Sequence, residues 1–477
     1  MRRLASSLLL AIALVVVAGS AGCSSPSATT DARPNAADGP RPAEARAVVD
    51  AADASRDAVA DAARTLAERF LEVPLDGLSF DWADVVALES GEAVVSWQRI
   101  AADKRRQWIG TGTTGDVQQV HPRVAISELP LELTTKVQLF EAGGKVFGLA
   151  YAGGTAGTTL LFSRSDDGGR TWSTAQSLAT VTAGGYAAEL FVHGAKVHLA
   201  YRTSGEAVYY RGSADSGETW SLPKKIVTSD HIPRPPSIVT DGAGAIVILV
   251  GVGTPTQARA FRSADGGDSW SEGVCVHLRA DGSCVNGLAL AVKHGGGRFH
   301  ALWYSLSSYT VWHGVSTDGQ SWQPTDLATE DLLASWEVDA AGRVHVAWDE
   351  APGSGDSHSA HYRRFVGAAW QQPVVLDADG GGGIVGTFPS VAVAGDVVHL
   401  VWRGKDASAT SPAGARVRWL SSVDGGATLT QPREIDQGAG HAINFARASA
   451  KGHHAMVLWD SDAGASAALL LRRVVAP

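Results

Sequence analysis

The sequence predicts an all-β fold, a β-propeller built from four-stranded antiparallel blades. Three observations predict it. An octet of the form Ser-x-Asp-x-Gly-x-Thr-Trp returns along the chain, a strand-like apolar element returns with it, and the composition contains Gly 54 and Trp 15 against Met 2 in 477 residues. Glycine suits tight turns, and tryptophan suits aromatic packing between strands. Such repeats bury their apolar faces only against neighbours, so we expect them to close into a ring.

Residues 1–23 are predicted to be a lipoprotein-type signal peptide. Arg2 and Arg3 precede the apolar run 8–17, and small residues lead to Cys23. The run is too short to span a bilayer comfortably. The residues before Cys23 resemble a bacterial lipobox, in which the cysteine is lipidated, although Ser20 replaces its usual leucine and cleavage by an ordinary signal peptidase is the alternative. Either processing predicts an exported protein of the cell envelope, periplasmic or at the cell surface.

Residues 24–75 are predicted to form a flexible linker. They are dominated by Ala, Asp, Pro and Ser. Such a composition buries too little apolar surface to offset the entropy of ordering the chain. Within the linker, Val59, Ala62, Leu66 and Phe70 recur at helical spacing, which predicts a helix over residues 53–71.

Residues 80–477 carry the propeller repeats. Each repeat contains an apolar strand that ends near an aromatic or glycine anchor, and the anchors are spaced 45 (Trp303 to Trp348) to 57 (Trp402 to Trp459) residues apart. This spacing is the length of one four-stranded blade. Eight repeats predict seven or eight blades, with terminal strands sharing one blade as one way to close the ring, and six blades as the alternative. The anchors are Trp97, Tyr151, Tyr201, Gly251, Trp303, Trp348, Trp402 and Trp459.

The repeated octet is predicted to be a device of the fold. With strands named A to D outward from the ring axis, the anchor lies near the end of B and the octet spans the turn from C to D. The aspartate caps backbone amides, the glycine adopts a conformation that a Cβ atom would disfavour, and the tryptophan packs across the hairpin. The predicted structural positions are Asp167, Trp172, Asp215, Trp220, Asp265, Trp270, Asp318, Trp322 and Asp424; the fifth copy has Leu429 in place of tryptophan.

These octets resemble the Asp-box, or BNR repeat, of the sialidase superfamily, over residues 80–477. The resemblance implies a propeller with its active site on the face opposite the Asp-boxes, and an exo-glycosidase that acts on acidic glycans. Residues just after the anchors lie on that face. Arg99, Arg202 and Arg403, from three blades, would grip a carboxylate by paired hydrogen bonds, as the family's arginine triad grips sialic acid. The alternative is that they are solvated charges of the rim.

The resemblance also implies catalytic residues. In VVSWQRIAAD, Arg99 followed by Asp103 resembles the family's arginine and its acid/base aspartate. Asp103 would protonate the leaving group and then activate water, while Tyr304, activated by Glu350 or Glu337, would be the nucleophile.

Two departures from the family favour a different class of function. The Arg-Ile-Pro motif expected before the first B strand is missing from GLSFDWADVVAL, and the last tyrosine, Tyr362, precedes the final octet. The alternative to a glycosidase is therefore a non-catalytic propeller that binds a glycan or a protein.

The remaining features predict structure or exclude partners. Cys275 and Cys284 flank an Asp-Gly turn, which predicts a local disulfide in an exported protein. The net charge of -9 gives no electrostatic basis for binding nucleic acid. No cofactor or metal is expected, and the predicted chain is a monomer that binds a glycan or other polar ligand and meets the membrane only through its lipid. Histidines three residues before four anchors are predicted to pack inside the blades: His198, His300, His345 and His399.

Overall fold

The structure is a computed structural model. It describes residues 71–74, 84–101, 104–112, 134–154, 157–181, 187–204, 206–327, 335–350, 359–376, 387–405, 415–435, 446–461 and 468–477. The predicted signal peptide and lipidation site lie outside them, as does the helix predicted over 53–71 except for its last residue, Leu71, which lies in a strand. Within these ranges the regular structure is strand throughout, which confirms the all-β prediction. The same ranges contain no helix with the length and hydropathy of a membrane span.

The described residues form eight antiparallel sheets, one for each predicted repeat. The first four, given from the innermost strand outward, are as follows. Sheet I contains β2 (Asp84–Ala87), β3 (Ala93–Ala101) and β4 (Lys104–Gly112), and sheet II contains β5 (Thr134–Ala142), β6 (Lys145–Gly154), β7 (Gly157–Ser165) and β8 (Gln176–Val181). Sheet III contains β9 (Ala188–His193), β10 (Lys196–Thr203), β11 (Ala207–Ser213) and β12 (Lys224–Thr228), and sheet IV contains β13 (Ser237–Thr240), β14 (Ile246–Val252), β15 (Gln257–Ser263) and β16 (Val274–Cys275).

The other four sheets follow the same order. Sheet V contains β17 (Gly287–Gly295), β18 (Arg298–Ser305), β19 (Val311–Ser316) and β20 (Gln323–Asp326), and sheet VI contains β21 (Ser335–Val338), β22 (Val344–Glu350), β23 (Ser359–Val366), β24 (Ala369–Trp370) and β25 (Val374–Val375). Sheet VII contains β26 (Thr387–Ala394), β27 (Val397–Lys405), β28 (Ala415–Ser422) and β29 (Arg433–Glu434). Sheet VIII contains β30 (Ala446–Lys451), β31 (His454–Ser461), β32 (Ala468–Val475) and, as its outer strand, β1 (Leu71–Pro74).

The core lies between neighbouring sheets and is built mostly from their second strands. All seven residues of β14, whose sequence is IVILVGV, are buried, because this strand has a sheet against each face. Strands covered on both sides read as continuous apolar runs rather than as alternating patterns. The anchors Trp303 and Trp459 are each 1% exposed and pack in clusters shared by adjacent sheets.

The innermost strands follow one another in chain order, and the last contacts the first. β2 contacts β5, the series continues to β26 and β30, and β30 contacts β2. Side-chain oxygens on these strands accept backbone N–H groups of the next innermost strand: Asp84 accepts Leu139 N at 3.0 Å, and Ser449 accepts Ala87 N at 3.0 Å. The series of sheets is therefore closed by polar bonds as well as by packing.

Sheet VIII takes its outer strand from the segment predicted to be the linker. β1 pairs with β32 in the register Leu71 opposite Leu471 and Pro74 opposite Ala468. β1 therefore lies inside the predicted linker 24–75 and before the predicted start of the propeller at 80. The sequence does not predict this strand, because its four residues carry no repeat motif and their partner lies at the other end of the chain.

The octets form hydrogen-bonded turns between third and fourth strands. Ser165 Oγ donates to Asp167 Oδ1 at 2.8 Å and accepts Gly169 N at 2.7 Å, and Asp167 Oδ1 also accepts Thr171 N at 2.8 Å. Trp172 Nε1 donates to Gly169 O at 3.0 Å. Asp215, Asp265 and Asp424 repeat the aspartate's bonds to the preceding serine and the following hydroxyl residue. Asp318 makes a variant one residue shorter.

The recurring histidines are buried inside their sheets. His198 Nδ1 lies 2.8 Å from Tyr210 Oη, and His345 Nδ1 lies 2.7 Å from Tyr362 Oη. His399 Nδ1 accepts Trp419 Nε1 at 3.1 Å. Burial lowers the pKa of His198 to about 4, so its imidazole is neutral near pH 7 and serves as a packed hydrogen-bonding group. His300 and His399 have pKa values lowered to about 4 for the same reason.

Candidate functional site

The structure places the predicted site residues on different sheets. Arg202, at the end of β10, donates from Nη1 to the backbone oxygen of Ile232. Arg403 is partly buried in β27 of sheet VII. Arg99 lies in β3, but its side chain is outside the described part of the structure, as is all of Asp103. The three arginines thus belong to sheets I, III and VII, and their grip on one carboxylate stays a prediction.

Tyr304 and Glu350 lie in surroundings of opposite character. Tyr304 is 9% exposed and packs in the apolar cluster of sheets V and VI with Leu302 and Trp348. Glu350 is exposed at the end of β22, and its Oε2 lies 3.4 Å from Nε2 of His361. Their predicted roles as nucleophile and activator stay predictions.

A different polar region lies where the innermost strands meet. A cavity of about 360 Å³ opens between β2, β21, β26 and β30, which belong to sheets I, VI, VII and VIII. We call it the axial cavity. It is lined by Asp84, Val85, Ser335, Glu337, Pro389, Ser390, Val391, Ala446, Arg447 and Ala448.

Glu337, which lines the axial cavity, forms an ion pair beside an aromatic ring. Lys293 Nζ, from β17 of sheet V, lies 2.6 Å from Glu337 Oε1 and 5.4 Å from the centroid of the Trp336 ring. The side chains of Lys293 and Glu337 remain 31% and 38% exposed. The pair is therefore open to solvent, and Glu337, one of the two predicted activating carboxylates, faces a cavity rather than the core.

Asp84 and Arg447 also line the axial cavity. Arg447 Nη1 lies 3.9 Å from Asp84 Oδ1, and its side chain is 40% exposed. Asp84 Oδ1 also accepts Val85 N at 3.0 Å, and Oδ2 accepts Leu139 N at 3.0 Å. Two backbone donors thus hold the aspartate in place, and the partly exposed side chain of Arg447 lines the same cavity.

Among the carboxyl groups on the described innermost strands, Glu189 has the pKa that is shifted furthest from its ordinary value. It lies in β9. Burial raises the pKa of Glu189 to about 7, although hydrogen bonds from Ser237 and Ile238 N and the positive charge of Lys293 act in the opposite direction. A carboxyl group with this pKa exchanges its proton near neutral pH.

The arrangement suits recognition of a polar ligand. Carboxylates accept hydrogen bonds from hydroxyl groups, and the guanidinium group of Arg447 can donate to oxygens. Within the described ranges, no three His, Cys, Asp or Glu residues are grouped so that they could hold a metal ion.

Asp84, Lys293 and Arg447 were not predicted from the sequence, because functional residues were expected after each anchor. A signal was present one strand earlier. Asp84 pairs with Ser96 and Arg447 pairs with Leu458, in each case the residue before the anchor. Glu189 and Ser390 occupy the same register opposite Ala200 and Val401. Asp84, Ser390 and Arg447 line the axial cavity. A polar residue on an innermost strand, opposite the residue before an anchor, is therefore the sequence signal for this lining.

Comparisons with known proteins give fold likeness at low identity. No protein-family model matches the chain, and no curated protein matches it. Among solved structures, a PL25 ulvan lyase bound to an oligosaccharide is 11% identical, with 69% of this chain and 90% of that chain covered and a TM-score of 0.44. The sialidase of Trypanosoma rangeli is 14% identical, with 71% and 54% covered and a TM-score of 0.37. The Aleuria aurantia lectin AAL is 13% identical, with 63% and 97% covered and a TM-score of 0.38.

Proposed function

We propose that this chain is an exported, eight-bladed propeller that binds a glycan at its axial cavity without cleaving it. The observation that carries the proposal is the lining of that cavity, where Glu337, Arg447 and Asp84 present acceptors and donors from several sheets around about 360 Å³. A site with a few convergent polar groups is typical of small-ligand recognition.

The surroundings of the predicted catalytic residues favour binding over hydrolysis. Tyr304 is packed in an apolar cluster, and a nucleophile needs access to its substrate. Arg202 Nη1 donates to a backbone oxygen, which leaves fewer of its donors for a carboxylate. These observations support the binding alternative that the missing family motifs also favour.

The proposal includes a place in the cell. Cys23 would carry the lipid, residues from 24 to the first strand would act as a tether, and the strand domain would bind its ligand as a monomer outside the cytoplasm. Mass spectrometry of the protein from membranes would detect a diacylglyceryl group on Cys23, and Cys23→Ala is expected to release the protein from the membrane fraction.

Glycan binding is tested with an immobilised glycan array and two charge variants. Glu337→Gln and Arg447→Gln are each expected to weaken binding of the captured glycan by about tenfold, because each removes a charge-assisted hydrogen bond. Glu89→Gln, an exposed carboxylate outside the cavity, is the matched control. The proposal fails if the array captures nothing, or if all three variants bind as the unaltered chain does.

Hydrolysis remains the second candidate, and Glu189 is the observation that favours it. A carboxyl group with a pKa of about 7 suits general acid catalysis near neutral pH. The test is release of methylumbelliferone from a sialoside, with Asp103→Ala and Glu189→Gln beside the unaltered chain. If the unaltered chain turns over the sialoside and either variant abolishes that turnover with the fold intact, hydrolysis would replace binding as the proposed function.

A further inference from the structure

A second cavity lies on the side of the molecule, between sheets III and IV. It has a volume of about 780 Å³ and is lined by the outer strand β12, the turn 252–255, β15 and residues 270–273. We call it the side groove. It lies beside β16, which has only two residues and pairs with β15 at Arg259 and Ala260.

The apolar wall of the side groove is held rigidly. Trp270 Nε1 donates to Gly267 O at 3.1 Å, and the ring lies 5.1 Å from that of Tyr210. Phe261 packs directly on backbone, since a Cβ atom at Gly273 would come within 2.4 Å of its ring. Trp270 is partly exposed and lines the groove, so it presents a fixed aromatic surface to a ligand.

The groove also holds an oriented amide donor. Gln257 Oε1 accepts Arg259 Nη2 at 3.0 Å and Nε at 3.3 Å, which identifies the oxygen side of the amide. Arg259 Nη1 is itself held by Gly273 O at 3.2 Å. Among the described residues Gln257 Nε2 has no acceptor, so its N–H groups remain for a ligand.

Two carboxylates supply acceptors on the groove lining. Glu272 is exposed and makes no hydrogen bond or ion pair with any described residue. Asp230 is exposed, and its Oδ1 accepts Ser229 Oγ at 3.1 Å. Both carboxylates line the groove and would repel a negatively charged ligand, whereas Arg259, the cationic side chain of the lining, donates to Gln257 Oε1 and Gly273 O.

We propose that the side groove binds a neutral pyranose unit. Its hydroxyl groups would donate to Glu272 and Asp230 and accept from Gln257 Nε2, while its C–H face would lie on Trp270. The inference rests on the proposed glycan function but concerns a separate subsite, which selects against uronic and sulfated sugars. The side groove and the axial cavity share no lining residue.

The experiment uses the full chain and saturation-transfer NMR with galactose, glucose, N-acetylglucosamine and glucuronate. Gln257→Glu keeps an oxygen for Arg259 but replaces the donor by a second acceptor, so it is expected to weaken the bound neutral sugar at least tenfold. Gln323→Glu, an exposed glutamine in β20, is the matched control. Glu272→Gln is expected to weaken the neutral sugar and to strengthen glucuronate.

A steric variant distinguishes loss of the binding site from loss of the fold. Thr228→Trp, at an exposed position of β12, is expected to fill the groove and abolish neutral-sugar binding while the circular dichroism spectrum and melting temperature stay unchanged. Neutral-sugar binding that survives Glu337→Gln but falls in Gln257→Glu and Thr228→Trp supports the side groove, even if the axial proposal fails. Absence of neutral-sugar binding, or loss only in Glu337→Gln, overturns it.

Discussion

The backbone N–H of Ala87 donates to Oγ of Ser449 at 3.0 Å, across 362 residues of sequence. The same kind of bond links Ser335 to Val391 N at 3.1 Å and Ser390 to Ala448 N at 3.2 Å. Ala87 and Ser449 belong to the first and last sheets, so this bond closes the series that the other bonds propagate. The closure of the strand domain thus depends on single hydroxyl groups as well as on apolar packing.

Ser449→Ala should lower the free energy of unfolding by about 1 kcal/mol, because it leaves the N–H of Ala87 without its acceptor. Urea unfolding followed by tryptophan fluorescence measures the change. Ser307→Ala, at an exposed serine, is the control and should change stability by less than about 0.5 kcal/mol. Equal stability of the two variants would show that the closing bond contributes nothing measurable.

Removal of β1 should destabilise the strand domain more than removal of everything before it. A chain that starts at residue 71 keeps the pairing of Leu71 with Leu471, whereas a chain that starts at residue 75 leaves β32 as an open edge. We expect the shorter chain to melt several degrees lower and to aggregate more readily. Differential scanning calorimetry compares the two, and matching melting temperatures would contradict the prediction.

Glu189 should make stability fall as the pH rises. Its pKa in the folded protein is raised to about 7 from an ordinary value near 4.5, so the folded state binds more protons than the unfolded state between those values. Glu189→Gln keeps an oxygen for Ile238 N and removes the charge. We expect this variant to melt above the unaltered protein at about pH 8 and near it at about pH 5. A pH-independent difference would argue against the raised pKa.

The octet turns should weaken in acid. Burial opposes the shift, but hydrogen bonds from Thr171 and Ser165 lower the pKa of Asp167 to about 2. The stability contributed by this carboxylate is present above its unfolded pKa near 4 and is lost as the pH falls toward 2. Asp167→Asn should therefore melt a few degrees lower at about pH 6, with a smaller difference at about pH 3. Thermal melts across this range provide the measurement.

Features that depend on neighbouring residues could be predicted from the sequence. The octet around Asp167 specifies its turn because all of its donors and acceptors lie within seven residues. The disulfide joins Cys275 and Cys284, whose Cα atoms are 5.7 Å apart, because the turn between them is short. The apolar strand before each anchor indicated a strand covered on both faces. Sheet number and strand order follow from these repeats.

Only the tertiary structure decided which polar residues lie together in or beside the axial cavity. Lys293 and Glu337 are 44 positions apart, and Asp84 and Arg447 come from opposite ends of the chain. Their proximity depends on the register of each innermost strand and on closure of the series, neither of which leaves a local pattern. The side groove is lined by residues of sheets III and IV, from Ile226 to Gly273, and no motif marks their meeting. Local turn chemistry therefore determined the fold from the sequence alone, whereas long-range packing determined the candidate sites.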